Sequence, residues 1–140
     1  MYIIYIMEVY ILMKEKMLTL KLLKDKYGVC RLDNTLPIPE WAEKGEFFSA
    51  TRTSDELSIV CCEKNIPEDI KCEKNWRILK IEGPLDFSLI GILASISSIL
   101  AERKISIFAV STYDTDYILI RDSDVNDAVE ALSAKKYNIV

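Results

Sequence analysis

The chain has 140 residues, half of them apolar, with 18 Lys and Arg against 22 Asp and Glu for a net charge of −4. That length closes one sizeable core or two very small ones. The near-average charged fraction and the four Gly and four Pro exclude disordered, collagen-like and linker classes. The acidic balance gives no basic field for a phosphate backbone, so nucleic acid is not an expected partner.

In chain order, Tyr2 to Met13 is apolar except for Glu8. A membrane helix needs about 20 residues, and this run has neither a positive n-region nor a small-residue cleavage site, so no membrane association is expected. Residues 1–16 read as an extra N-terminal segment or a mis-called start, with Met17 opening the folded part. Leu18 to Lys24 and Tyr27 to Leu32 read as strands around Asp25-Lys26, and Pro37 to Lys44 leaves room for only two helical turns. Trp76 to Glu82 predicts a strand stopped by Gly83-Pro84. Phe87 to Lys104 predicts a helix with Leu89, Leu93, Ile96 and Leu100 at helical spacing, apolar nearly all round. Ile105 to Ser111 and Tyr117 to Arg121 predict a strand pair. A helix capped by Ser123 or Asp124 follows, with Val125, Ala128, Val129 and Leu132 on one face and Lys135-Lys136 in its last turn, then a strand at Asn138 to Val140.

The order βαββαβ over residues 76–140 is the ferredoxin-like α+β unit, two helices on a four-stranded sheet. A weaker copy lies 60 residues upstream, setting Phe48 on Phe108, Thr51 on Ser111, Asp55 and Glu56 on Thr115 and Asp116, and Leu57 on Tyr117. Residues 17–75 therefore read as a first, irregular unit. Neither unit buries enough surface alone, so the two are expected to share a sheet or an interface.

Chemistry-bearing groups are few. With no histidine, histidine-dependent triads and mixed zinc sites are excluded. The four cysteines, Cys30, Cys61, Cys62 and Cys72, read as reduced thiols in the cytoplasm, with Cys61 and Cys62 on opposite faces of one strand. Asp114 and Asp116 are too few for calcium, and no glycine-rich phosphate loop occurs, so neither metal nor cofactor is expected. Asp122 and Asp124 read as helix caps, Asp127 as facing the helix dipole, and Thr112, Asp114 and Thr115 as holding a glycine-free turn by side-chain hydrogen bonds. Asp116, last in that turn, is the carboxylate that could face a ligand amine. No nucleophile has an activating partner, so catalysis is not expected.

Gly83-Pro84-Leu85-Asp86-Phe87-Ser88-Leu89-Ile90-Gly91-Ile92-Leu93-Ala94, followed by Ile105 to Ile120 and preceded by Thr51 to Val60 as a first-unit signature, closely resembles ACT domains. Within them it is similar to the tandem, amino-acid-binding group that includes a cytosolic arginine sensor. The resemblance implies ACT units in tandem and a free amino acid or a derivative held between units. It places the ligand against the backbone of Ser88, Leu89, Ile90, Gly91 and Ile92 at a helix start, and against the turn Thr112, Tyr113, Asp114, Thr115 and Asp116, with Asp116 on the α-ammonium. That group also carries an acid for guanidinium on the equivalent helix, where Phe87 to Ala101 has none. The expected function is small-molecule regulation, with a structural interaction module or a stand-alone regulatory subunit of an amino-acid biosynthetic enzyme as the alternative. A homodimer is expected, because two helices cannot cover every side of an all-round apolar one.

Overall fold

In the computed structural model the chain is described at residues 3, 4, 6, 18–82 and 91–140. The expectations for the 1–16 segment and for Met17 thus lie almost wholly outside the described residues, as do Ser88, Leu89 and Ile90. From residue 18 on, the described strands and α-helices are β1 (Thr19–Leu22), β2 (Tyr27–Leu32), β3 (Ser49–Arg52), β4 (Leu57–Cys62), β5 (Cys72–Ile81), α1 (Ile92–Glu102), β6 (Ile107–Ser111), β7 (Asp116–Arg121), α2 (Val125–Ala134) and β8 (Asn138–Ile139). Only a 3-10 turn, Glu40–Glu43, fills the short helical stretch of the first unit.

All eight strands join one sheet, as expected for two units too small to stand apart. Strand β5 is its spine, starting at Cys72 rather than Trp76. One edge of β5 pairs with β1 (Leu20↔Ile81 to Leu22↔Leu79) and then with β2 (Tyr27↔Trp76, Cys30↔Cys72). The other edge pairs with β7, from Trp76↔Arg121 to Lys80↔Tyr117. Residues 19–32 therefore run as one long antiparallel partner of β5, interrupted at Lys24 to Lys26 and irregular between Tyr27 and Val29. A four-stranded ferredoxin-like unit would set its last strand directly beside its first. Here β8 pairs with β1 instead, in parallel (Thr19↔Asn138, Leu20↔Ile139), so a strand of the first unit is inserted into the sheet of the second. The βαββαβ order of the second unit holds, and its sheet is completed by β1.

The upstream repeat also holds, shifted by one residue. In the first hairpin Arg52 pairs with Leu57, and in the second Ser111 pairs with Asp116, an offset of 59 rather than 60. Both turns close alike, Thr53 N–H on the Glu56 carbonyl and Thr112 N–H on the Thr115 carbonyl, each at 2.9 Å. A one-residue slip exchanges the two faces of a strand. The corrected register puts Leu57, not Glu56, in the place of Asp116.

Three apolar clusters use the faces of this sheet. Leu20, Leu79, Ile81, Ile118 and Ile120 meet Ile92, Ile96 and Leu100 of α1 and Ala128 and Leu132 of α2. On the opposite face the strands curl over Tyr27, Phe47, Val60, Cys62, Trp76, Ile78 and Leu119, and the Phe47 and Tyr117 rings meet 4.4 Å apart. A third cluster, with Cys30, Ile59 and Cys61, lies under the 3-10 turn at Ala42. Cys61 and Cys62 do point to opposite faces, yet both are fully buried, because each face of β4 is covered.

Three other expectations are corrected. The outward residues of α1 are Ala94, Ser95, Ser98, Ala101 and Glu102, so the helix is not apolar all round. Asp124 makes no capping hydrogen bond; a 3-10 turn, Asp122–Asp124, leads into α2 instead. Asp122 pairs with Lys26 at 3.6 Å and Arg77 at 3.5 Å, while Asp127 pairs with Arg103. Lys136 lies beyond α2 with φ 70°, and Lys104 beyond α1 with φ 60°. Each closes its helix as a glycine would, Ile105 N–H returning to the Leu100 carbonyl and Tyr137 N–H to that of Leu132.

Candidate functional site

The turn between β6 and β7 is built by its threonines. Thr112 Oγ1 donates to the Thr115 carbonyl at 3.1 Å. Thr115, buried, donates its hydroxyl to the Ile81 carbonyl at 2.5 Å, pinning the turn to the last residue of β5. These two hydroxyls hold the turn as expected, and Asp114 contributes no hydrogen bond to it among the described residues. Asp116 is half-buried, and its Oδ1 accepts from Ser111 Oγ at 2.5 Å. Tyr113 is 85% exposed.

Extending the β5–β7 register one step beyond Lys80↔Tyr117 sets Asp116 opposite Ile81. From α1 the chain passes to Ile107, which pairs with Ile120 at the opposite end of the β6–β7 ladder from Ser111↔Asp116, so α1 ends away from the turn and begins toward it. Gly91 caps α1 with φ 85° and ψ 7°, no side chain among the described residues caps the helix, and the Gly91 carbonyl accepts from Ser95 N–H at 2.8 Å. A Cβ at Gly91 would meet nothing within 4 Å, so glycine is required by the left-handed backbone rather than by a close neighbour. Ile92 turns its side chain into the helix-side core and leaves only its backbone for a ligand. An uncapped helix start carries amide donors without intrahelical partners and a partial positive charge. It suits a carboxylate, as Asp116 suits an ammonium.

A second feature escaped the sequence reading. Because the sheet curls, the outer edges of β3 and β6 face each other across a cleft of about 370 Å³ lined by Ser49 to Thr51, Ser58, Val60 and Phe108 to Ser111. No charged residue lines it, so it offers a zwitterion no counter-charge. Its pairing depends on curvature, which no local pattern encodes. Elsewhere, no group of three or more metal-binding side chains occurs among the described residues, and no helix among them is long and apolar enough to cross a membrane.

Comparison with known proteins agrees with this architecture. A family model for the ACT domain matches residues 71–134, and a model for an N-terminal domain matches residues 25–69. The crystal structure of protein Atu0741 from Agobacterium tumefaciens superposes with a TM-score of 0.84 at 39% identity, covering 89% of this chain and 93% of that one. Residues 71–134 are an ACT domain. The chain is also 30% identical over 105 residues to the bovine protein called cytosolic arginine sensor for mTORC1 subunit 1, covering 67% of this chain and 32% of that protein. It thus spans about a third of the length of such relatives. The regulatory subunit of aspartate kinase from Thermus thermophilus shares the fold, with a TM-score of 0.58 at 13% identity over 86% of this chain and 99% of that one.

Proposed function

We propose that this chain is a non-catalytic regulatory protein that binds a free amino acid or a derivative at the end of β5. In this reading the first turn of α1 holds the α-carboxylate and Asp116 holds the α-ammonium, with Thr112 and Tyr113 beside it. The observation that carries it is the half-buried Asp116 carboxylate on a turn that Thr115 pins to the end of β5, and the amide donors at the start of α1 support it. The regulatory character of ACT proteins and the similarity to an arginine sensor support the same reading. Arginine itself is not singled out, since the described helix carries no acid before Glu102.

The site is built once per chain. At the position of Asp116 the first hairpin has Leu57, 1% exposed, and in place of α1 it has only a 3-10 turn. A ligand held between two equivalent ACT units therefore calls for a second chain. A homodimer belongs to this proposal. The cytoplasm, where thiols stay reduced, is the expected setting. Thermal denaturation in the presence of each of the twenty amino acids and their simple derivatives tests the binding claim: one class should raise the melting temperature in proportion to the logarithm of its concentration. A flat response to all of them would overturn it. Light scattering showing only a 16.1 kDa species with ligand present would remove the dimer.

A further inference from the structure

Three of the four cysteines converge on one face of the sheet. Cys30 of β2 is the direct cross-strand partner of Cys72 on β5, and Cys61 of β4 lies in the same cluster. Arg31 N–H donates to the Lys71 carbonyl at 3.0 Å, which makes Arg31 and Lys71 a hydrogen-bonded pair. Pairs alternate along an antiparallel ladder, so Cys30 and Cys72 form a non-hydrogen-bonded pair, where opposed side chains come closest, with Cα atoms about 4.5 Å apart. That spacing is within the range a disulfide spans, about 4.4 to 6.8 Å. Cys61 of β4 flanks Cys30 from the other side of β2, where it is diagonal rather than opposite (Gly28↔Cys61, Cys30↔Ile59) and its thiol is in hydrogen-bond contact with that of Cys30.

From this register we propose that Cys30 and Cys72 are a cross-strand dithiol that a low-molecular-weight disulfide oxidises to an intramolecular bridge between β2 and β5. Their unequal burial gives the order of events. Cys72 is partly exposed and Cys30 is 2% exposed, so an incoming disulfide meets Cys72 first. The Cys72 thiolate attacks one sulfur of the reagent; a mixed disulfide forms, the reagent's S–S bond breaks, and one thiolate leaves. The Cys30 thiolate then attacks Cys72 Sγ, forming the cross-strand bond and expelling the second reagent thiolate. Two protein thiols are oxidised, one small disulfide is reduced to two thiols, and the two protein protons pass to the departing thiolates. The bridge would fasten the first unit to the spine strand beside the irregularity at Tyr27 to Val29, and so narrow the freedom between the units.

Trypsin separates the participants, because Cys30 falls in peptide 27–31, Cys61 and Cys62 in peptide 53–64, and Cys72 in peptide 72–74. The folded full-length protein is incubated with glutathione disulfide, remaining thiols are alkylated, and the digest is mapped by mass spectrometry without reduction. The expected product joins peptides 27–31 and 72–74, with a higher melting temperature for the oxidised protein. In Cys72→Ser the linked peptide falls to background, and in Cys61→Ala it persists. Any of three results overturns the proposal: a stable glutathione adduct on Cys72 without a bridge, a principal link from peptide 27–31 to 53–64, or linkage only after denaturation.

Discussion

Thr115 is the residue on which the site's shape depends. Its buried hydroxyl closes on the Ile81 carbonyl, and no solvent replaces that contact in the folded state. Thr115→Val keeps the volume and removes the donor, with an expected loss of about 1 kcal/mol in urea unfolding. It should also loosen the turn that carries Asp116. Gly91 differs because no described residue comes within 4 Å of an added Cβ, and φ 85° is what speaks for glycine. Gly91→Ala should cost about 1–2 kcal/mol, the left-handed penalty for a residue with a Cβ. Tyr27 gives the pH dependence. Burial, then the neighbouring Cys62, Glu46 and Asp25, push its hydroxyl well above the ordinary tyrosine range. The hydroxyl is buried beside the Cys62 thiol, which donates to Asp25 Oδ2 at 3.8 Å. An unfolded tyrosine ionises near pH 10, whereas the folded one keeps its proton to higher pH. Its contribution is therefore complete below about pH 10 and is lost as pH rises toward the folded value. Tyr27→Phe should flatten this alkaline fall in stability, measured by thermal unfolding between neutral pH and alkaline buffer.

At the scale of elements, what was legible had a local cause. Helical spacing in Leu93, Ile96 and Leu100 found α1, and the β-branched runs on either side of Thr112 to Thr115 found the second hairpin. Both helix ends were placed only loosely, since Lys104 and Lys136 stand in left-handed positions that usually signal themselves by glycine. Lys136→Gly should accordingly raise stability by about 0.5–1 kcal/mol, read from the urea midpoint. The repeat was visible, but its register was one residue out, because matching residue types tolerates a slip that backbone pairing does not. That slip had hidden the asymmetry of the two turns. With Leu57 opposite Asp116, the first turn keeps the hydrogen bonds and discards the carboxylate.

For the whole molecule, the unread features are long-range pairings. Nothing local in Thr19 to Leu22 announces that it will lie between β5 and β8, more than fifty residues away in sequence. The consequence is mutual dependence. β8 takes its ladder from β1, with Asn138 N–H on the Leu18 carbonyl and Val140 N–H on that of Leu20, both at 2.9 Å. A fragment of residues 71–140 should therefore lack cooperative thermal unfolding, while the whole chain unfolds in a single transition. Independent folding of the fragment would show that β1 is an accessory strand. The same pairing explains why the turn is legible in the sequence and its anchor is not: Thr115 finds its acceptor 34 residues upstream, and only the sheet brings the two together.

The central claim is that Asp116 holds a ligand's ammonium at the end of β5. Its most direct test is calorimetric titration of the amino acid selected by thermal denaturation into wild type, Asp116→Ala and Glu130→Ala. The Glu130 side chain is 76% exposed and pairs with Arg103 at 3.7 Å, so its loss should leave binding unchanged. Asp116→Ala removes a charge-assisted hydrogen bond and should weaken binding by about 1.5–3 kcal/mol. Equal affinity in wild type and Asp116→Ala would contradict the account and leave the turn carboxylate as nothing more than the acceptor of Ser111.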